Sequence, residues 1–127
     1  MNSQINKKQT YAWERLIQTE PLVTPVIDII EDFFFYVIKV YMPGVSKENI
    51  YIKLEDNTLT VFGKVDLNSV EDEKFILREK NYGHYFRQFN LSDKIDTTGI
   101  EAKVENGILL IVLPKLDKFK PKVISIN

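Results

Sequence analysis

Chemistry that a side chain can perform in this sequence is narrow from the start. There is a single histidine, His84, and no cysteine, so thiolate nucleophiles, Cys-ligated zinc and His-pair metal sites are all excluded. Hydrolysis of the serine type needs a base beside the nucleophile, and His84 is the only imidazole on offer. It sits between Gly83 and Tyr85 at the opening of an expected strand, where an exposed polar residue is the simpler reading. Carboxylate pairs exist at Asp28 with Asp32 and at Glu71 with Glu73, yet acidic residues near loops are ordinarily just solvated, and nothing marks a glycosidase pair. A Gly-rich loop ending in Lys-Ser or Lys-Thr is absent, which removes the phosphate cradle of a nucleotide hydrolase. No catalytic residue, metal or cofactor is expected. Binding is the work that remains.

Composition says which elements do the positioning. The chain has 127 residues, about one domain's worth, with 17 Lys plus Arg against 18 Asp plus Glu. A net charge of −1 argues against a nucleic-acid protein held by a strong positive field. Fifteen Ile and eleven Val stand against two Ala, the profile of a strand-rich chain, since β-branched residues suit a pleated surface and Ala favours helix. The longest apolar runs, Phe33–Ile38 and Ile108–Leu113, are six residues each, far short of the roughly 20 that span a bilayer. Residues 1–10 are polar and lack the apolar stretch of a signal peptide, so a soluble cytoplasmic protein without membrane partners is expected.

Three parts follow from the pattern: an arm over residues 1–24, a body over 25–115 and a tail over 116–127. In the arm, Thr10 is placed to cap a short helix with Trp13, Leu16 and Ile17 on one face. Such a helix is too short to stand alone, so that face must find a surface. Exposed, it would bind clients or build an assembly; the plainer alternative is a frayed terminus. Pro21 and Pro25 close the arm. The body reads as short strands. Val26–Ile30 comes first, then Phe34–Met42, apolar on both faces and therefore expected to be covered on both. After Pro43-Gly44, Ser46 is placed to cap a helical turn. Ile50–Glu55 alternates cleanly and turns at Asp56-Asn57 into Thr58–Lys64. Residues 64–74 form an acidic loop in which Val65, Leu67 and Val70 suggest a small strand. Phe75–Lys80 and His84–Leu91 follow. Ile100–Glu105 and Ile108–Leu113 flank Asn106-Gly107, a two-residue hairpin signature. Seven or eight short antiparallel strands at this spacing imply an all-β, immunoglobulin-like sandwich.

Arranged in this order the fragments resemble the α-crystallin domain of small heat-shock proteins. The marks are Pro43-Gly44-Val45, Leu59-x-Val61-x-Gly63, Glu79-x-x-x-Gly83-x-Tyr85-x-Arg87-x-Phe89-x-Leu91, Ala102-x-x-x-Asn106-Gly107-Ile108-Leu109 and Leu113-Pro114-Lys115. Ile124-Ser125-Ile126 is similar to the family's Ile-x-Ile tail motif. The sequence departs at Leu91-Ser92, where the family has Leu-Pro, and at Glu79-Lys80, where it has Glu-Arg. The loop over 64–74 is short for the strand that, in the bacterial and plant branch, swaps onto a partner.

The resemblance implies a chaperone that binds partly unfolded proteins without nucleotide and assembles into homodimers and larger homo-oligomers. The alternative is a module like the related sandwich of co-chaperones, which binds one folded partner. In the tail, Ile124 and Ile126 point to the same side by period 2. Pro121 and the charged hinge Leu116–Lys120 favour capture by a neighbour, although a last strand of the same domain is the competing reading. By resemblance the receiving groove is lined by Ile52, Leu54, Ile100 and Ala102, for which ordinary core is the alternative. Arg87 alternates in phase with Tyr85, Phe89 and Leu91, so its guanidinium must pair with a carboxylate or lie at an interface. The family's interface arginine implies a dimer contact there.

Overall fold

The computed structural model describes residues 11–68 and 82–127. Two four-stranded sheets face each other. The first has the order β1-β6-β5-β4, built from Leu22–Val23, His84–Asn90, Thr58–Gly63 and Ile50–Glu55. The second has the order β2-β3-β8-β7, built from Val26–Glu31, Phe35–Tyr41, Ile108–Pro114 and Glu101–Glu105. Alternation drives the packing. On the inner faces Ile38, Val40, Met42, Leu59, Val61, Leu109, Ile111 and Leu113 are buried, and they form one core with Val45 and Ile95. The all-β sandwich expected from the sequence is the fold.

Tight turns set the register. Asn106 and Gly107 both have positive φ, 52° and 77°, as a two-residue hairpin of this hand demands. Asp56 and Asn57 do the same at 51° and 61°. Short polar side chains tolerate that region, which is why the chain reverses at these two places.

Five details depart from the sequence reading. Leu22–Val23, read as the end of the arm, pairs with His84–Tyr85 in parallel, so one pairing of the sheets is not antiparallel. That approach is close: a Cβ on Gly83 would collide with the carbonyl of Pro21, so only glycine fits. The second departure is the outer face of β3. Its Val37 and Lys39 line, with Ile30, Leu110 and Val112, a cleft of about 560 Å³ whose walls come only from their own sheet. The face expected to be covered is open there. Third, Leu67 and Asn68 are helical rather than extended, because Asp66 accepts a hydrogen bond from the Asn68 N–H (3.1 Å) and turns the chain. Fourth, His84 is 1% exposed rather than solvated. Finally, the arm helix is capped from Tyr11 rather than from Thr10, since Tyr11 is the extended residue before Ala12 and Glu14 reaches back to its N–H. The strand Phe75–Lys80, Val70, and the Glu71–Glu73 pair lie outside the described residues.

Candidate functional site

The arm helix α1, Ala12–Thr19, lies on the outer face of the first sheet. Its start is held by Glu14, whose carboxylate accepts from the Tyr11 N–H at 3.0 Å. Trp13 does the packing: its ring stacks on Tyr51 (5.5 Å between centroids) and on Phe62 (5.6 Å). Glu14 reaches Lys53 on β4 at 2.5 Å. The hydrogen bond from Lys53 holds the Glu14 carboxyl below its ordinary value, and the same bond raises Lys53. Trp13, Leu16 and Ile17 are therefore half-buried on the chain's own body. The helical face has found its surface.

At the end of the helix, Glu20 meets His84. Its Oε1 lies 2.6 Å from His84 Nε2, while the Val65 N–H donates to His84 Nδ1 at 3.0 Å. Phe62 lies against the imidazole at 5.2 Å. Sequence reasoning missed this node. Its partners are 64 and 19 positions away, and no local pattern reports such contacts.

The opposite end of the chain behaves differently. β8 finishes at Pro114, and the body keeps hold for a few residues more: the Lys115 N–H donates to the Phe34 carbonyl (2.9 Å) and the Leu116 N–H to the Lys94 carbonyl (2.7 Å). Lys115 also reaches Glu31 at 2.8 Å, a bond that lowers the Glu31 carboxyl. After one 3-10 turn, Asp117–Phe119, residues 121–127 run without regular structure and fully exposed. Ile124 is 84% exposed and Ile126 96%. Within this chain they do not form a last strand.

The edges of the sandwich locate the residues read as a groove. Ile29, Tyr36 and Ile38 share a cleft with Phe89 and Leu91, which puts β2 and β3 over β6. The free edges β4 and β7 therefore lie together on the other side of the sandwich. Ile52 pairs with Val61 and Leu54 with Leu59, so both point to the core side of β4. Ala102 pairs with Ile111 and likewise points inward. Ile52 and Ile100 pack against the core, whereas Leu54 and Ala102 are exposed at the rim. Ile50 and Val104 belong to the same rows, and period-2 alternation was the signal for them.

Arg87 lies on β6 opposite the buried Val61, half-buried. Among the described residues no carboxylate pairs with it; its guanidinium stands 5.6 Å over the Phe89 ring. A second edge is also open. β2 pairs only with β3, and it exposes Val26, Ile29 and Ile30, with Phe33 and Phe34 bare at the hairpin tip. No group of three or more metal-ligating side chains exists among the described residues, and no helix among them is long and apolar enough to cross a membrane.

Two four-stranded sheets in this order, with a short helical arm before them, are the α-crystallin type of β-sandwich. The family model for the Hsp20/alpha crystallin family matches residues 28–127, and the chain belongs to that family. It is 33% identical over 107 residues to small heat shock protein C4 of Rickettsia felis, covering 84% of this chain and 66% of that protein. Small heat shock protein C2 of the same organism is 32% identical over 118 residues, with 92% and 77% covered. Among solved structures, a small heat-shock protein from Xylella fastidiosa aligns with a TM-score of 0.64 and 30% identity, over 81% of this chain and 95% of that one. Heat shock protein 16.0 from Schizosaccharomyces pombe aligns with 0.63 and 32%, over 83% and 76%. The family is one of chaperones, not enzymes.

Proposed function

We propose that this protein is an ATP-independent holdase of the cytoplasm, which binds partly unfolded proteins on apolar surface and keeps them from aggregating. The observation that carries the reading is the tail: two isoleucines of one face stand in solvent, beyond a body that has released the chain at Lys120. Water-exposed Ile124 and Ile126 have a reason to exist if another copy buries them. The β4–β7 edge, with Ile52, Leu54, Ile100 and Ala102, is the receiving groove in this reading. Each isoleucine contributes at most about 1.5–3 kcal/mol on burial, before ordering costs are subtracted. One contact is thus weak and exchangeable, and many in one assembly act by avidity.

Two further surfaces complete the reading. The open β2 edge accepts a strand from a second copy, with Arg87 at the dimer contact; a half-buried guanidinium that has no carboxylate partner among the described residues fits that place. The arm, with Trp13, Leu16 and Ile17, serves as a docked segment that assembly or stress releases. Residues 1–24, 25–115 and 116–127 divide the labour as arm, sandwich and tail. Nucleotide, nucleic acid, membrane and cofactor have no part in it.

The test is suppression of thermal aggregation of a model client, at near-stoichiometric ratio and without ATP. Suppression is the expected outcome. A client that aggregates equally with and without the protein at every temperature refutes the holdase reading. A protein that runs as a monomer at all concentrations points instead to a module for one folded partner.

A further inference from the structure

Among the described residues, His84 is the one buried titratable side chain that the chaperone reading leaves without a role. It stands where three parts of the molecule meet. From the arm comes Glu20, just past α1; from β5 comes the Phe62 ring; from the segment after β5 comes the backbone of Val65. Lys64 and Asp66 line the adjoining cavity of about 470 Å³ with opposite charges, together with Leu16 and Asn49.

The two hydrogen bonds determine the state of the ring. A backbone N–H can only donate, so Nδ1, which receives the Val65 N–H, carries no proton. The single proton of a neutral imidazole is then on Nε2 and points at the Glu20 carboxylate. A second proton has one place to go, which is Nδ1. It turns the acceptor of Val65 into a donor, and two N–H groups then face each other across 3.0 Å. The Glu20 side of the ring responds the opposite way, because Nε2–H to carboxylate becomes a charge-assisted bond. We propose that His84 is an acid-sensitive clasp, which on protonation releases the backbone N–H of Val65 while keeping its hold on the arm.

This asymmetry separates the clasp from general acid unfolding. Lys53–Glu14 and the stack of Trp13 on Tyr51 anchor the arm without touching the imidazole, although Phe62 lies against both the Trp13 and the His84 rings. Glu14, held below its ordinary value, stays ionised to more acid pH than a free carboxylate. The full chain supplies its own reporters, since it has one histidine and one tryptophan.

The experiment follows hydrogen exchange of the Val65 amide and emission of Trp13 on the full chain as the pH is lowered stepwise from the alkaline side, with the ring's protonation read from its own nitrogen shifts. Exchange at Val65, corrected for intrinsic chemistry, should rise about tenfold as His84 protonates, with Trp13 emission unchanged. Imidazole nitrogen shifts at the alkaline end should show the Nε2–H form. His84→Gln removes the titration and should flatten the exchange profile. If that variant fails to fold, the wild-type series and the nitrogen shifts still decide. Val65 exchange that ignores pH, an Nδ1–H ring at the alkaline end, or Trp13 emission that moves together with Val65 overturns the proposal.

Discussion

The two ends of this chain carry similar apolar loads and meet opposite fates. Trp13, Leu16 and Ile17 in the arm are half-buried on the chain's own first sheet, while Val123, Ile124 and Ile126 in the tail are exposed. The difference lies in what surrounds them. The arm repeats its apolar residues at helical spacing and meets two aromatic rings, and polar partners hold it at both ends, Glu14 to Lys53 and Glu20 to His84. Beyond Pro121 the tail has no regular structure, and its side chains are exposed among the described residues. An eight-residue helix is unstable alone, so the arm must dock to exist. An extended segment has no such need, and it can wait for another copy. Apolar residues near a terminus are therefore a poor guide by themselves. Their spacing, and the polar residues that latch them, decide whether they serve the same molecule or the next.

Substitutions can break this contrast at several strengths. Trp13→Ala should have the largest effect on the body, about 2 kcal/mol, since it removes two ring stacks from a half-buried site. The arm should then be cut by protease faster than in the parent, whereas the tail's cleavage should not change. Arg87→Gly should follow. It loosens the dimer contact and shifts the native mass distribution, with little change in the sandwich itself. An unchanged distribution together with unchanged aggregation suppression removes Arg87 from the interface.

Glu14→Gln is a smaller change, about 0.5 kcal/mol for a partly exposed pair. Its pH dependence has a definite sign. The folded Glu14 value lies below 4.5, so its stabilisation is present above about that pH and is lost as pH falls through the lowered value. The folded Lys53 value lies above 10.5, so its share is complete below that pH and is lost as pH rises through the raised value. Arm docking, read by Trp13 emission, should weaken at both extremes, and Glu14→Gln should abolish the acid limb. The smallest effect is expected from Ile124→Ser with Ile126→Ser, which should leave the melting temperature of a dissociated protein unchanged. A fall in that temperature would show that the tail packs on its own body.

How far the sequence showed this can be judged residue by residue. Asn106-Gly107 was legible because a two-residue turn of that hand needs positive φ at both positions, and both residues allow it. The inward row of β4 was legible because Ile50, Ile52 and Leu54 alternate with Tyr51, Lys53 and Glu55. By contrast, β8 is apolar at every position up to Leu113, and its run showed a strand without showing which face is buried. His84 was not. Its burial depends on Glu20 and Val65 arriving from distant parts of the chain, and its flanking Gly83 and Tyr85 resemble any strand opening. The parallel β1 was hidden for a related reason: Pro21 and Pro25 mark a boundary, yet two residues between them suffice to extend a sheet edge. The open outer face of β3 misled in the other direction. An apolar row implies a cover, but nothing in the row tells whether the cover comes from the same chain. Of the residues read as a groove, Ile52, Leu54 and Ala102 lie in register with buried Val61, Leu59 and Ile111, and Ile50 and Val104 continue the same rows.

The central claim is that Ile124 and Ile126 hold subunits together through the edge formed by β4 and β7. Native mass of the full chain beside a truncation ending at Pro121 tests it most directly. The full chain should form an assembly larger than a dimer, and the truncation should collapse to dimers or smaller. Equal masses for the two at every concentration contradict it.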